Sequence, residues 1–340
     1  MRRCGVQPVS FRAWSFKTVR RRNFLLFALI GGFSAFRSEA QNAWPARVSR
    51  FIVPFAPAGA LDTPARMIAQ RLGSELGATF IVENRAGAGG AVGAQAVVQA
   101  APDGSTFLFT SSSVAILPAL QPNLGFDPRN DLLPVSLVCD VASVLLVRAN
   151  SRFTSVPQLI AEARSAPGRL TYGSGGTGSS NHLAGASFAS MAGIELLHVP
   201  YRGTAQTLNA LYAGDIDLMF APTLDILGHV GEGGTLRPLG VTLPERLPAL
   251  PDVPAIAEFV PGYTVSNWFA IFAPARLPED IRARLVHALT SLRDWPELQV
   301  RFAAGAALIR LDGPDPLAKR LAEDTARWAQ LVTKLGIKSE

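Results

Sequence analysis

The run Tyr172-Gly173-Ser174-Gly175-Gly176-Thr177-Gly178-Ser179-Ser180-Asn181-His182 sets four glycines among Ser and Thr hydroxyls, directly ahead of a helix-period segment. Glycine lets successive backbone N–H groups converge on an anion, and the positive end of a helix dipole favours negative charge there. Gly173, Gly175 and Gly178 also match the G-x-G-x-x-G of dinucleotide-binding folds. That chemistry needs an acid about 20 residues on, at the end of the next strand, to hold a ribose. Glu195 has the spacing but stands at the start of its strand, which ends in His198-Val199-Pro200-Tyr201. A smaller anion, held by Gly175, Thr177, Gly178 and Ser179, is the better expectation.

Other loops add candidates. In Pro54–Asp62, Pro and Gly enforce a turn, Ala58 and Gly59 offer N–H groups, and Asp62 is placed to N-cap the following helix. Glu83–Gly90 contains G-x-G without the rest of the motif and reads as close helix–strand packing. In Pro200-Tyr201-Arg202-Gly203-Thr204, Arg202 can face a carboxylate bidentately or stand as a solvated charge at a helix end. Thr110 and Ser111 begin a further hydroxyl-rich strand end. Catalytic patterns are scarce: there is no G-x-S-x-G and no H-E-x-x-H, and the four histidines show no metal-ligand spacing. His182 is expected to orient its loop through a hydrogen bond. A site that holds an anion without transforming it, with no cofactor or metal, is the leading reading. The competing one is a hydrolase using Ser179 and His182, for which no orienting acid is identifiable.

These loops need strands and helices to carry them. Strand-like runs at 50–54, 79–83, 105–110, 132–138 and 143–147 alternate with helical periodicity at 62–76 and 91–101. The rhythm repeats with helices at 156–166, 179–191 and 204–213 and strands at 170–173, 196–200, 216–220 and 236–242. After a Pro-rich stretch, 264–273 is an aromatic strand, and helices at 279–293 and 316–335 close the chain. The pattern predicts an α/β protein with mostly parallel sheets. The chain leaves one α/β unit, builds a second and returns. The predicted domains are 41–141 with 265–340, and 142–264, joined by a hinge of two crossings with a cleft between them.

Residues 1–40 read as an export signal: Arg20-Arg21-Arg22, an apolar run from Phe24 to Phe36, and a small-x-small site at Ser38 and Ala40. Arg21-Arg22-Asn23-Phe24-Leu25 also fits a twin-arginine signal. The apolar run, about 13 residues, is too short for a bilayer that needs about 20. The chain holds 32 Lys+Arg and 26 Asp+Glu; residues 1–40 take eight of the basic and one of the acidic groups, leaving 24 against 25. The basic balance therefore belongs to the leader and gives no support for nucleic-acid binding. Beyond it Cys139 is the one cysteine, so no internal disulfide is expected there, and its apolar neighbours suggest a buried thiol.

The runs VPFAPAGALDTPAR, VENRAGAGGAVGAQAVVQAAPDGSTFLF, TYGSGGTGSSNHLAGASF, HVPYRGTAQTLNALYAGDIDLMFA, LPALPDVPAIAEF and NWFAIFAPA, in this order, closely resemble the Bug family. Its members are extracytoplasmic solute receptors of tripartite tricarboxylate transporters. The resemblance implies a two-lobed periplasmic-binding-protein fold (type II) that closes on an organic acid and presents it to integral-membrane transporter subunits, with the receptor a periplasmic monomer. A receptor feeding a signalling protein is the alternative within the same fold. Carried over, the family's carboxylate contacts fall on Ala58, Gly59 and Asp62 and on Thr177, Gly178 and Ser179. His182, Thr110, Ser111, Tyr201, Arg202 and Gly203 match further family positions. Ala58 stands where the family has glycine and Leu61 where it commonly has threonine, and Asp225 is a further change expected at the cleft rim. These departures favour a substrate with an apolar part.

Overall fold

The eleven strands among the described residues follow from the apolar runs. They are β1 (Val48–Val53), β2 (Thr79–Asn84), β3 (Thr106–Ser111), β4 (Leu132–Val141), β5 (Ser143–Arg148), β6 (Thr171–Ser174), β7 (Leu197–Pro200), β8 (Leu218–Pro222), β9 (Leu236–Val241), β10 (Asn267–Pro274) and β11 (Ala307–Asp312). The structure is a computed structural model and describes residues 44–45, 48–230 and 233–337. The predicted export signal lies outside them.

Two sheets form within one compact unit, in the orders β11-β4-β10-β3-β1-β2 and β7-β6-β8-β5-β9. Both follow one plan, since β2-β1-β3-β10-β4 repeats in β7-β6-β8-β5-β9, with the fourth place filled by the strand arriving from the other sheet. The crossings are the short β4–β5 step at Ala142 and the segment between β9 and β10. The expectation of mostly parallel sheets is corrected. Only β1–β2, β1–β3, β6–β7 and β6–β8 are parallel, while β10 and β5 run antiparallel to both neighbours. A parallel return within one sheet needs a crossover of a dozen residues or more. β5 instead enters its sheet straight from β4 and sets its own direction.

Both sheets are covered on both faces, which is why strands such as SVLLV read as unbroken apolar runs. Leu145, Val147, Leu218 and Phe220 share a core with Leu108, Ala270 and Phe272 of the first sheet. Val144, Leu146, Met219 and Ala221 face a separate core under the second sheet. Phe51, Phe107, Phe109 and Phe269 fill the far side of the first. Cys139 is buried in that last core, and burial pushes its thiol well above the usual range. The C-terminal helix Pro314–Leu335 inserts Leu317, Leu321 and Trp328 into the shared core, and its Asp324 accepts the Trp268 indole N–H at 2.7 Å. The sequence reading lacked the Pro296–Ala304 helix and β11. The first buries only Leu298 and Phe302, and the second is a half-exposed edge strand, so neither has strong periodicity.

Candidate functional site

The loops at the carboxyl ends of β1, β3, β6, β7 and β8 converge between the sheets, as ligand loops do in open α/β sheets. They enclose an outer cleft of about 840 Å³ and an inner chamber of about 30 Å³, both bordered by Phe55 and Gly175. The outer cleft is lined by the Gly87–Gly90 turn, Gln121, Asn123, Thr177, Tyr201 and Arg202. The inner chamber is lined by the polar residues Ser111, Ser179, Ser180, Asn181, Thr204 and Asn267 together with apolar Ala60, Leu61, Pro222 and Phe269.

Three helix N-termini meet at the chamber. Gly59–Leu61 lead into Asp62–Leu76, Ser179 caps Ser180–Ala192, and Thr204 opens Thr204–Ala213. In the second, the Ser179 hydroxyl accepts the His182 N–H at 3.3 Å. The N–H groups of Ser180 and Asn181 have no partner within their own helix, as at any helix start. No lysine or arginine lines the chamber. Its positive potential therefore comes from peptide dipoles and hydroxyl donors, which suits a carboxylate.

Of the residues singled out from the sequence, Gly59, Ser111, Gly175 and Ser179 border the inner chamber, and Gly175, Thr177, Tyr201 and Arg202 border the outer cleft. The others lie behind these walls. Thr110 is buried within β3, paired with Ala270, so its position in the sheet turns it away from both cavities. Ala58 adopts a left-handed backbone (φ 64°) and donates its N–H to Asp62 Oδ2 at 3.1 Å. Asp62 does not N-cap its helix: Leu61 is the cap residue, without a side-chain bond, and Asp62 is the first helical residue. Its carboxylate also takes Arg66 at 2.8 and 3.0 Å and Asn84 at 2.9 Å. Burial alone would raise this carboxyl, and those hydrogen bonds outweigh it and hold it below the usual range. Asp62 thus builds the loop and has little left for a ligand.

Gly178 donates its N–H to His182 Nδ1 at 3.1 Å, which places the ring proton on Nε2. The His182 ring stacks on His198 at 4.1 Å between centroids, His198 lies 4.9 Å from Tyr172, and His198 Nε2 is 2.6 Å from Ser174 Oγ. Burial lowers His182 to about 4; burial and then the neighbouring His182 lower His198 to about 3. Two neutral imidazoles and a phenol thus form an aromatic support beneath the glycine loop. This is the loop-orienting role expected for His182, and it overturns the hydrolase reading, because the ring is bonded to a backbone N–H instead of the Ser179 hydroxyl. Gly203 packs against Ala56 and Gly175, and Asp225 sits behind Thr204, so neither borders a cavity. No cluster of three His, Cys, Asp or Glu side chains suited to a metal occurs among the described residues.

The sequence reading missed Asn267, Asn181 and Thr204. Asn267 accepts Ser112 Oγ at 2.6 Å and donates to Ser180 Oγ at 3.1 Å, tying the two sheets together at the chamber. An asparagine opening a strand 155 residues from its partner carries no local signal. The Gly87–Gly90 turn, whose glycines suit close helix–strand packing, also forms a wall of the outer cleft.

Two α/β sheets of one plan, joined by crossings, with ligand loops facing each other across a cleft, define a two-lobed periplasmic binding protein. The chain belongs to the tripartite tricarboxylate transporter receptor family (TctC), whose model matches residues 64–337. It is 34% identical over 324 residues to Protein BugT of Bordetella pertussis, covering 92% of this chain and 98% of that one. The solved structure of R. palustris Rpa4515 with adipate matches at TM-score 0.83 and 32% identity, over 88% of this chain and 100% of that chain. That of MatC from Rhodopseudomonas palustris with bound malate matches at 0.81 and 30%, over 85% and 100%. The chain is a solute-binding receptor rather than an enzyme.

Proposed function

We propose that this protein is an exported receptor that captures a small organic acid between its lobes and delivers it to a tripartite tricarboxylate-type membrane transporter. The lobes are residues 41–141 with 265–340, and 142–264. One observation carries the reading: three helix N-termini open on a chamber with hydroxyl and amide donors and no cationic side chain among its lining residues. Such a chamber stabilises a carboxylate by charge-assisted hydrogen bonds, worth about 1.5–3 kcal/mol each. It would desolvate a cation without compensation. The relatives solved with adipate and malate support an acid of this size. Arg202 and the amides of Gln121 and Asn123 offer partners for a second polar end in the outer cleft.

The test is a thermal-shift screen of mono- and dicarboxylates on protein recovered from the periplasmic fraction, whose N-terminus is expected near Gln41. A ligand at 100 times its dissociation constant adds about 2.7 kcal/mol. An amine or uncharged sugar that shifts the melt while every acid fails would overturn the reading, and a mature chain retaining residues 24–36 would overturn export with cleavage.

A further inference from the structure

Thr204 borders the inner chamber, and its side chain is hydrogen-bonded to Asp225 behind it. We propose that Asp225, acting through Thr204, couples carboxylate capture to the uptake of a proton, so that the receptor holds its anion more tightly as the pH falls. The proposal rests on the carboxylate-receptor reading above.

Asp225 lies in the short helix Thr223–Ile226 that follows β8. Its Oδ2 is sealed from solvent without a hydrogen-bond partner among the described residues, and an unpaired charge is far costlier there than a neutral carboxyl. The charge that acts on it is Arg301, on the helix Pro296–Ala304, whose guanidinium donates to the Leu224 carbonyl at 3.0 Å and leaves Oδ2 unpaired. Other ionisable groups on the surrounding elements are engaged elsewhere. Glu297 is exposed, His229 lies against the Tyr212 ring, Tyr201 and Arg202 border the outer cleft, and Asp62 is held by Arg66. Burial raises the Asp225 carboxyl to about 7, against the opposing effects of Arg301 and Thr204.

Two effects link this acid to the chamber, and both have the same sign. An ionised carboxylate only accepts hydrogen bonds, so Thr204 gives Asp225 its single hydroxyl proton and has none for a ligand carboxylate. A protonated Asp225 can donate to the Thr204 oxygen instead, which frees the hydroxyl proton for the ligand. In addition, two negative charges with one side chain between them repel, and they compete for the positive end of the Thr204–Ala213 helix. An anion in the chamber therefore raises Asp225 further, and above its ligand-free value of about 7 binding draws a proton from water. Affinity is level well below that value and falls by up to about tenfold per pH unit above it, the slope of a single linked proton.

Titration calorimetry with adipate, malate and the other screened carboxylates tests this, the acid that binds best serving as probe. In two buffers of different ionisation enthalpy at pH 8, binding to the parent should take up close to one proton, and affinity should fall roughly tenfold or more between pH 6.5 and pH 8.5. Asp225→Asn, whose amide can donate to Thr204 as the protonated acid does, should bind at pH 8.5 about as tightly as the parent at pH 6.5, with no proton uptake. Binding by the parent with level affinity and no proton uptake overturns the proposal and leaves the carboxylate reading standing. Proton uptake that persists in Asp225→Asn removes Asp225 from the role. Failure of every acid to bind overturns both readings. Should the variant not fold, the parent's proton count still decides the coupling.

Discussion

Ala58 holds a backbone conformation that costs a non-glycine residue about 1–2 kcal/mol, and it is held there by the Asp62 carboxylate four residues on. The same carboxylate anchors Arg66 and Asn84, so one buried acid shapes the entire first loop. Asp225 is the opposite case. Burial pushes its carboxyl up to about 7, against the opposing effects of Arg301 and a hydrogen bond with Thr204. Its Oδ2 has no hydrogen-bond partner among the described residues. An acid whose folded value lies above its unfolded one near 3.8 favours folding most at low pH. That contribution is lost as pH rises from about 4 through 7. Asp225→Asn should therefore gain stability relative to the parent between pH 5 and pH 8, by about 2–3 kcal/mol. Denaturant midpoints at the two pH values measure it, and a difference that does not change with pH would refute the assignment.

The elements that matter most are the helix starts. The Ser180–Ala192 helix has only a weak apolar stripe because its polar first turn borders the chamber and is buried along with Leu183, Ala184 and Phe188, which it inserts into the shared core. Ser179 both caps it, accepting the His182 N–H, and borders the chamber, where the carboxylate reading has its hydroxyl donate. Ser179→Ala should cost about 1 kcal/mol of stability through the lost cap. It should also weaken carboxylate binding by roughly tenfold, the worth of one charge-assisted hydrogen bond. Ser179→Thr should retain most of both. Calorimetry and thermal melts separate the two effects, and unchanged affinity in the alanine variant would place the anion elsewhere, with Arg202 the first alternative.

At the scale of the molecule, the two sheets touch through their loops as well as through the crossings. Gly89, at φ 64°, lies so close to Thr177 that a side chain would overlap its carbonyl, and Gly203 lies against Ala56. Near the crossings, Arg301 donates to the Leu224 carbonyl at 3.0 Å. These contacts describe lobes drawn together. Ligand binding should compact the free protein and, by removing apolar surface from water, carry a negative heat capacity. Gly89→Val should hold the lobes apart, so that its radius of gyration with saturating acid stays above the parent's and its affinity falls tenfold or more. Parent-like scattering and affinity in that variant would show that the Gly89–Thr177 approach is not required for binding.

Much of this was legible in the residues. Helices at Asp62–Leu76 and Thr204–Ala213 fall where their periodicity placed them, because caps, turns and an apolar stripe act within a few residues of one another. The glycine- and hydroxyl-rich loop ahead of Ser180, conspicuous for the same local reason, borders both cavities. Strand direction was not legible, since SVLLV reads alike whether its neighbours run with it or against it. Nor was the division of labour among the loop residues. Asp62, Gly178 and His182 have the right chemistry for a ligand, and the structure gives their polar groups to partners within the protein. Asn267 and Leu61 enter the chamber because β10 and the first loop are brought to it by strands far apart in the chain. Which polar atoms are left over for a ligand depends on every pairing made at long range, and only the folded chain makes those pairings.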